Sequence, residues 1–157
     1  MRRSKLRLVL LSLGGLLLLG VALAFAYRHE IVIAQVSRSH IEANVPPASE
    51  FDANLAQALR AWFTQREGTP ATVRFELLRR GATQSGVAFP KYYAWVEVQT
   101  AFGPVLRGAV RVAAVEGNRF EVLQYLSADE IRATPAAVQS VFPVALLADI
   151  SRRASQP

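Results

Sequence analysis

ATVRFELLRRGATQSGVAFPKYYAWVEVQTAFGPVLRGAVRVAAVEGNRFEVLQYL, residues 71–126, is the stretch that decides the fold. It holds four strand-like runs. Ala71–Arg80 sets Val73, Phe75 and Leu77 against Arg74 and Glu76, the period-two alternation of a half-buried strand. Gly81–Gly86 collects turn-forming residues. Val87–Phe102 carries Tyr92, Tyr93, Trp95, Val96 and Val98, side chains that suit a pleated, half-buried surface. After the turn Phe102-Gly103-Pro104-Val105, the run Val105–Val115 alternates around Arg107 and Arg111. Glu116-Gly117-Asn118-Arg119 reads as a tight hairpin loop, and Phe120–Leu126 is the last strand. Loops this short do not carry a parallel crossover, so the pattern predicts an antiparallel meander.

Upstream, Ser49 to Glu67 predicts a long helix. Ser49 suits an N-cap, with Asp52 at capping-box spacing. Phe51, Leu55, Leu59, Trp62 and Phe63 fall on one stripe that must be buried, and Gly68 and Pro70 end the helix. Downstream, Ser127-Ala128-Asp129-Glu130 matches a capping box. A short helix should run to Thr134, Pro135 restarts helix at the tolerated first position, and Pro143 kinks or restarts it again. Val138, Val141, Phe142, Leu146 and Ile150 recur at helical spacing. The fold class is therefore α+β: one long helix packed on a four-stranded antiparallel meander, with short C-terminal helices. This element order resembles the cystatin-like and nuclear-transport-factor-2-like folds. It also resembles the periplasmic domains of single-pass secretion-system and assembly subunits. No residue motif carries the resemblance, so it implies a layered arrangement and assigns no activity.

The chain has 157 residues, a net charge of +6 and no cysteine. The missing cysteines exclude a disulfide framework, a thiolate metal site, a thiol nucleophile and a lipidated cysteine. The charge is uneven. Arg2, Arg3, Lys5 and Arg7 precede an uncharged run, Leu8 to Tyr27, and the remainder is close to neutral. Interleaved acids and bases do not form the dense basic face that nucleic acid requires. The uncharged run would span ~30 Å as a helix, the thickness of a bilayer's hydrocarbon core. We therefore read 1–7 as a basic cytoplasmic tail, 8–27 as a transmembrane anchor and 28–48 as a juxtamembrane spacer. An exported domain at 49–154 and a tail at 155–157 complete the chain. The basic cluster keeps the N-terminus inside and the domain on the outer, periplasmic or extracellular, side of the cytoplasmic membrane. Leu8, Leu16, Gly20, Ala24 and Tyr27 are the anchor residues, with Tyr27 at the interface. The alternative is a signal peptide cleaved near Ala26, after which the domain is secreted; the length of the run favours the anchor. Gly20 and Ala24 have the small-xxx-small spacing of a weak transmembrane homodimer. Within the spacer, Ile31-Val32-Ile33 reads as a short strand or as the helix's continuation, and Pro46-Pro47 forbids regular helix.

Chemistry is poorly marked. His29 and His40 precede the domain and have no relay partner in the sequence pattern. No metal-ligand spacing, phosphate loop or nucleophile elbow occurs, so no catalytic, cofactor or metal residue is assigned. Glu97, inside the aromatic strand, is the most interesting acid: ordinary alternation points it to solvent, and the remote alternative is a hydrolase that uses it as a buried base. Two groups suit binding. Tyr92, Tyr93 and Trp95 are aromatics of a type enriched at interfaces, with Tyr93 and Trp95 on one sheet face and Tyr92 on the other. Arg107 and Arg111 share a face of the next strand and could hold an anionic ligand or a partner carboxylate. The leading expectation is a non-catalytic accessory or assembly subunit of an envelope complex, with a membrane or envelope protein partner. The second is a small-molecule-binding domain with a pocket between helix and sheet.

Overall fold

This computed structural model describes residues 2–84 and 88–156, and within the first helix the side chains of 17–24, 28 and 31 onward. The chain divides into two units, Met1–Ser39 and His40–Pro157. Helix α1 spans Arg2–Asn44. In the first unit Leu17, Leu18, Leu19, Val21 and Leu23 are exposed, as are Ile31, Val32, Ile33 and Val36. Ala24 is exposed, and nothing approaches the Cβ position of Gly20 within 4 Å. The anchor side chains Leu8, Leu16 and Tyr27 lie outside those described. Among the described residues no helix is long and apolar enough to cross a membrane. The stretch read as a spacer is helical as far as Asn44, so Ile31-Val32-Ile33 continues the helix. The break comes at Pro46-Pro47, where the rings forbid regular helix.

In the second unit, α2 spans Ala48–Glu67. Its N-cap is Pro47 rather than Ser49. Proline's ring fixes φ near the value needed, here −51°, and its carbonyl accepts from the amides of Glu50 and Phe51 at 2.9 and 3.0 Å. Ser49 thus lies inside the first turn and no side chain caps this end. Gly68 closes the helix in the left-handed conformation (φ 68°) that a Cβ disfavours.

Four strands follow: β1 Ala71–Leu77, β2 Lys91–Thr100, β3 Leu106–Val115 and β4 Arg119–Ser127. They pair antiparallel in chain order, the expected meander. The first two are shorter than their sequence runs because the chain bends after Leu77 and pairs only from Lys91. Then come α3 Ala128–Ala133, α4 Pro135–Val141 and α5 Val144–Ala154. Ser127 caps α3 as expected: its hydroxyl accepts from the Glu130 amide, and the Glu130 carboxylate accepts from the Ser127 amide at 2.8 Å. Those bonds, the backbone one first, hold the Glu130 carboxyl below its usual range.

The sheet has a core on each face. On one, α2 lays Leu55, Leu59 and Phe63, all fully buried, over Tyr92, Ala94, Val96, Val98, Val110, Val112 and Phe120. On the other, α3–α5 bring Ile131, Val138, Val141, Leu146 and Ile150 against Tyr93, Trp95, Ala109 and Leu126. A register shift after Arg111 lets both Phe120 and Val122 and, three residues later, Tyr125 face α2. One extra residue on β4 reverses the alternation, as a bulge does. The Tyr125 ring then packs edge-on to Phe63, with centroids 5.0 Å apart, beneath the Arg66 guanidinium at 4.9 Å. Burial pushes its hydroxyl pKa up to about 12. At the hairpin, Glu116 (φ 57°) and Gly117 (φ 75°) are both left-handed. Asn44 holds them: its side-chain oxygen accepts from the Glu116 amide and its carbonyl from the Gly117 amide, each at 3.1 Å.

Candidate functional site

The sheet positions its candidate residues by parity. Leu78 donates its amide to the Tyr93 carbonyl at 2.9 Å, which continues the β1–β2 ladder. On β2, Tyr92 faces α2 and is wedged edge-on between Phe51 and Phe120, with centroids 4.8 and 6.0 Å away. Burial raises its pKa. Tyr93 faces the other way, its hydroxyl 2.9 Å from Thr83 Oγ1 and its ring 5.9 Å from Phe142. Trp95 shares that face. All three rings are buried, between 5% and 7% exposed, so they fill the two cores, and Trp95 also borders a hollow.

The register fixes what lies beside them. Tyr93 is opposite Arg111, Trp95 opposite Ala109 and Glu97 opposite Arg107. Arg107 and Arg111 therefore do share a face, with Ala109 between them. Arg111 reaches away from Trp95 and donates Nη1 to the Val141 carbonyl at 3.2 Å, which ties the end of α4 to the sheet. Arg107 pairs with Glu97 at 3.4 Å, and both side chains are half-buried. Glu97 thus sits in a half-buried ion pair.

Where α3–α5 stop, this face carries charge. Thr72, Arg74 and Glu76 of β1 lie beside Gln99, Glu97 and Trp95 of β2. Three adjoining hollows open there. One of 300 Å³ is lined by Arg74, Glu76, Trp95, Glu97, Arg153 and Gln156. A second, of 350 Å³, shares Arg74 and Glu97 and adds Thr72 and Gln99. A third, of 420 Å³, lies between Arg107 and the α3 residues Asp129 and Arg132. Arg153 of α5 closes the first hollow. Its two terminal nitrogens donate to the two Glu76 oxygens, each at 2.8 Å, and its Nε donates to Asp149 at 3.0 Å. The Arg153 hydrogen bonds, and then its charge, hold the Glu76 carboxyl below its usual range.

Chemically, this surface presents alternating guanidinium and carboxylate groups beside an indole. It can exchange ion pairs with a ligand or chain that carries both signs. Among the described residues no three His, Cys, Asp or Glu converge as a metal site. Sequence reading missed Arg74, Glu76 and Arg153. The first two were legible only as ordinary alternation, and Arg153 lies 77 residues from Glu76. Comparison of the chain with family models, curated proteins and solved structures finds no match.

Proposed function

We propose that this is a single-pass membrane protein whose folded domain stands on the outer side of the cytoplasmic membrane and serves as an accessory or assembly subunit of an envelope complex. One observation carries the reading. Leu17, Leu18, Leu19, Val21 and Leu23 are 50–73% exposed, in the middle of an uncharged 20-residue run behind a basic cluster. So much exposed apolar surface calls for lipid or a partner helix around it. The +6 charge is then largely a topology signal. The finer comparison with cystatin-like and nuclear-transport-factor-2-like folds belongs to the same reading, because it rests on element order.

The test is alkaline extraction of membranes followed by affinity purification from mild detergent. The full chain should stay in the membrane pellet and bring down a stoichiometric membrane protein. A soluble mature chain that begins near Tyr27 would replace the anchor with a cleaved signal.

A second reading has its own support: the 300 Å³ hollow that joins Trp95 to Arg74 and Arg153. It is of ligand size and has charged groups of both signs, though it lies on the face opposite α2. Zwitterionic amino acids are the probes that fit. One of them should quench the fluorescence of the wild-type chain and leave that of Trp95→Phe unchanged; an equal response in both proteins would sink this reading.

A further inference from the structure

The exposed edge of β1 has the pattern of a strand made to pair with itself. Hydrogen bonding to β2 uses the even-numbered residues, as the bond from the Leu78 amide to the Tyr93 carbonyl and the continuous register show. The main-chain groups of Val73, Phe75 and Leu77 therefore point away from the sheet. Ala71 confirms the parity, since its outward amide is taken by Thr64 Oγ1 at 3.2 Å. Beyond Ala71, no main-chain or side-chain group among the described residues bonds this edge. Such a row of unmet donors and acceptors is a template for another strand.

The side chains choose the strand. Val73, Phe75 and Leu77 turn toward α2, and Arg74 and Glu76 turn to the opposite face. For two antiparallel copies of β1 related by a twofold axis, three central registers match the outward main-chain groups. Centring on residue 74 sets Arg74 against Arg74. Centring on residue 76 sets Glu76 against Glu76. Centring on Phe75 sets Val73 against Leu77 and places Arg74 opposite Glu76 twice. Like charges directly opposite are destabilising and unlike charges favourable, so only the last register is complementary. Arg74 forms no ion pair within its own chain among the described residues. Glu76 keeps two-thirds of its side chain exposed despite Arg153, and a carboxylate has lone pairs for a second guanidinium.

We propose that β1 is a homodimer interface, in which two copies join edge to edge, centred on Phe75, into one eight-stranded sheet. About six main-chain hydrogen bonds would form across the twofold. Both α2 helices would then lie on the same side of the joined sheet. This contact is separate from any association of the membrane segments and does not depend on the anchor.

The test uses the full chain in mild detergent, with mass read by sedimentation and folding checked by circular dichroism and thermal unfolding. The wild-type chain should be dimeric. Arg74→Glu, at an exposed position, should fold normally and raise the dimer dissociation constant roughly tenfold or more, because it turns two attractive pairs into repulsive ones. Glu76→Lys should weaken the homodimer similarly. Mixed together, the Arg74→Glu and Glu76→Lys chains should form a heterodimer, since each then meets the opposite sign. Val73→Pro removes an outward donor without touching the β1–β2 ladder and should also weaken the dimer. A monomeric wild type overturns the proposal, even if another protein's strand occupies the edge. So does an Arg74→Glu chain that dimerises as tightly as the wild type, which would place the contact elsewhere.

Discussion

The two faces of the sheet are covered by unequal means. One 20-residue helix covers the first face and packs aromatic against aromatic: Phe51 on Phe120 at 5.0 Å, Trp62 on Phe63 at 4.8 Å, Phe63 on Tyr125 at 5.0 Å. Three short helices cover only part of the second, with aliphatic side chains and the Phe142 ring, and the remainder carries ion pairs. Along β2 the transition can be followed residue by residue. Tyr93 and Trp95 are apolar on the second face where α4 and α5 lie over them, and Glu97 and Gln99 succeed them where cover ends. The first face stays apolar from Tyr92 to Val98. The difference teaches that a strand's alternation reports which faces are covered, and for how far, rather than simply inside and outside.

The comparison can be broken most directly in its cores. Phe63 is fully buried and touches two other rings, so Phe63→Ala should lower unfolding free energy by ~3–5 kcal/mol. Leu146, in the core of the second face, keeps 7% of its surface exposed where Phe63 keeps none, and it loses a smaller side chain, so Leu146→Ala should fall nearer ~2 kcal/mol. Urea unfolding of the two variants decides it. Equal losses would mean that the smaller layer contributes as much as the larger.

A smaller effect is expected where β3 and β4 meet. A Cβ on Gly108 would stand 2.2 Å from the Leu126 carbonyl oxygen and 2.5 Å from the Tyr125 ring. The first of these is backbone, so no rotamer change relieves the clash. Gly108→Ala should cost ~1–3 kcal/mol by overpacking and should loosen Tyr125 from the Arg107 carbonyl, to which its hydroxyl donates at 3.2 Å. A neutral substitution with unchanged near-ultraviolet dichroism would show that the two strands can part freely.

Periodicity made the four strands, their order and the buried stripe of α2 legible, because each depends on neighbours a few residues away. The capping box at Ser127 was legible for the same reason. The cap at Pro47 was not, because Ser49 offers an equally good local signal and only the path of the chain decides between them. The bulge in β4 was hidden because an apolar residue, Leu123, occupies the extra position and keeps the run looking continuous. Asn44 looked like spacer, and its place under the hairpin comes from a bond across 72 residues. At the candidate site, the face shared by Arg107 and Arg111 followed from spacing. Their separate partners depended on register across Gly103-Pro104, which no local pattern encodes.

The charged half of the second face allows the finest test. Glu76 has its folded pKa lowered by Arg153, so its ion pair contributes stability above the ordinary carboxylate value of 4.5. That contribution disappears as pH falls through the depressed folded value. Glu76→Gln keeps the shape and removes the charge. Because Glu76 is largely exposed, the difference between wild type and variant should be only ~0.2–1 kcal/mol at neutral pH and low salt. It should hold constant down to about pH 5, shrink below the ordinary carboxylate value and vanish in strong acid, where both side chains are neutral. Glu130 also has a lowered value, but its partner is Ser127, so it titrates alike in both proteins and cancels from the difference; Asp149 shares Arg153 with Glu76, so its own pairing is part of what the variant reads. Urea midpoints measured in parallel across this range read it out. A gap that survived at low pH would mean that Arg153 gains from the Glu76 side chain by packing rather than by charge, and the second face would then be less unlike the first.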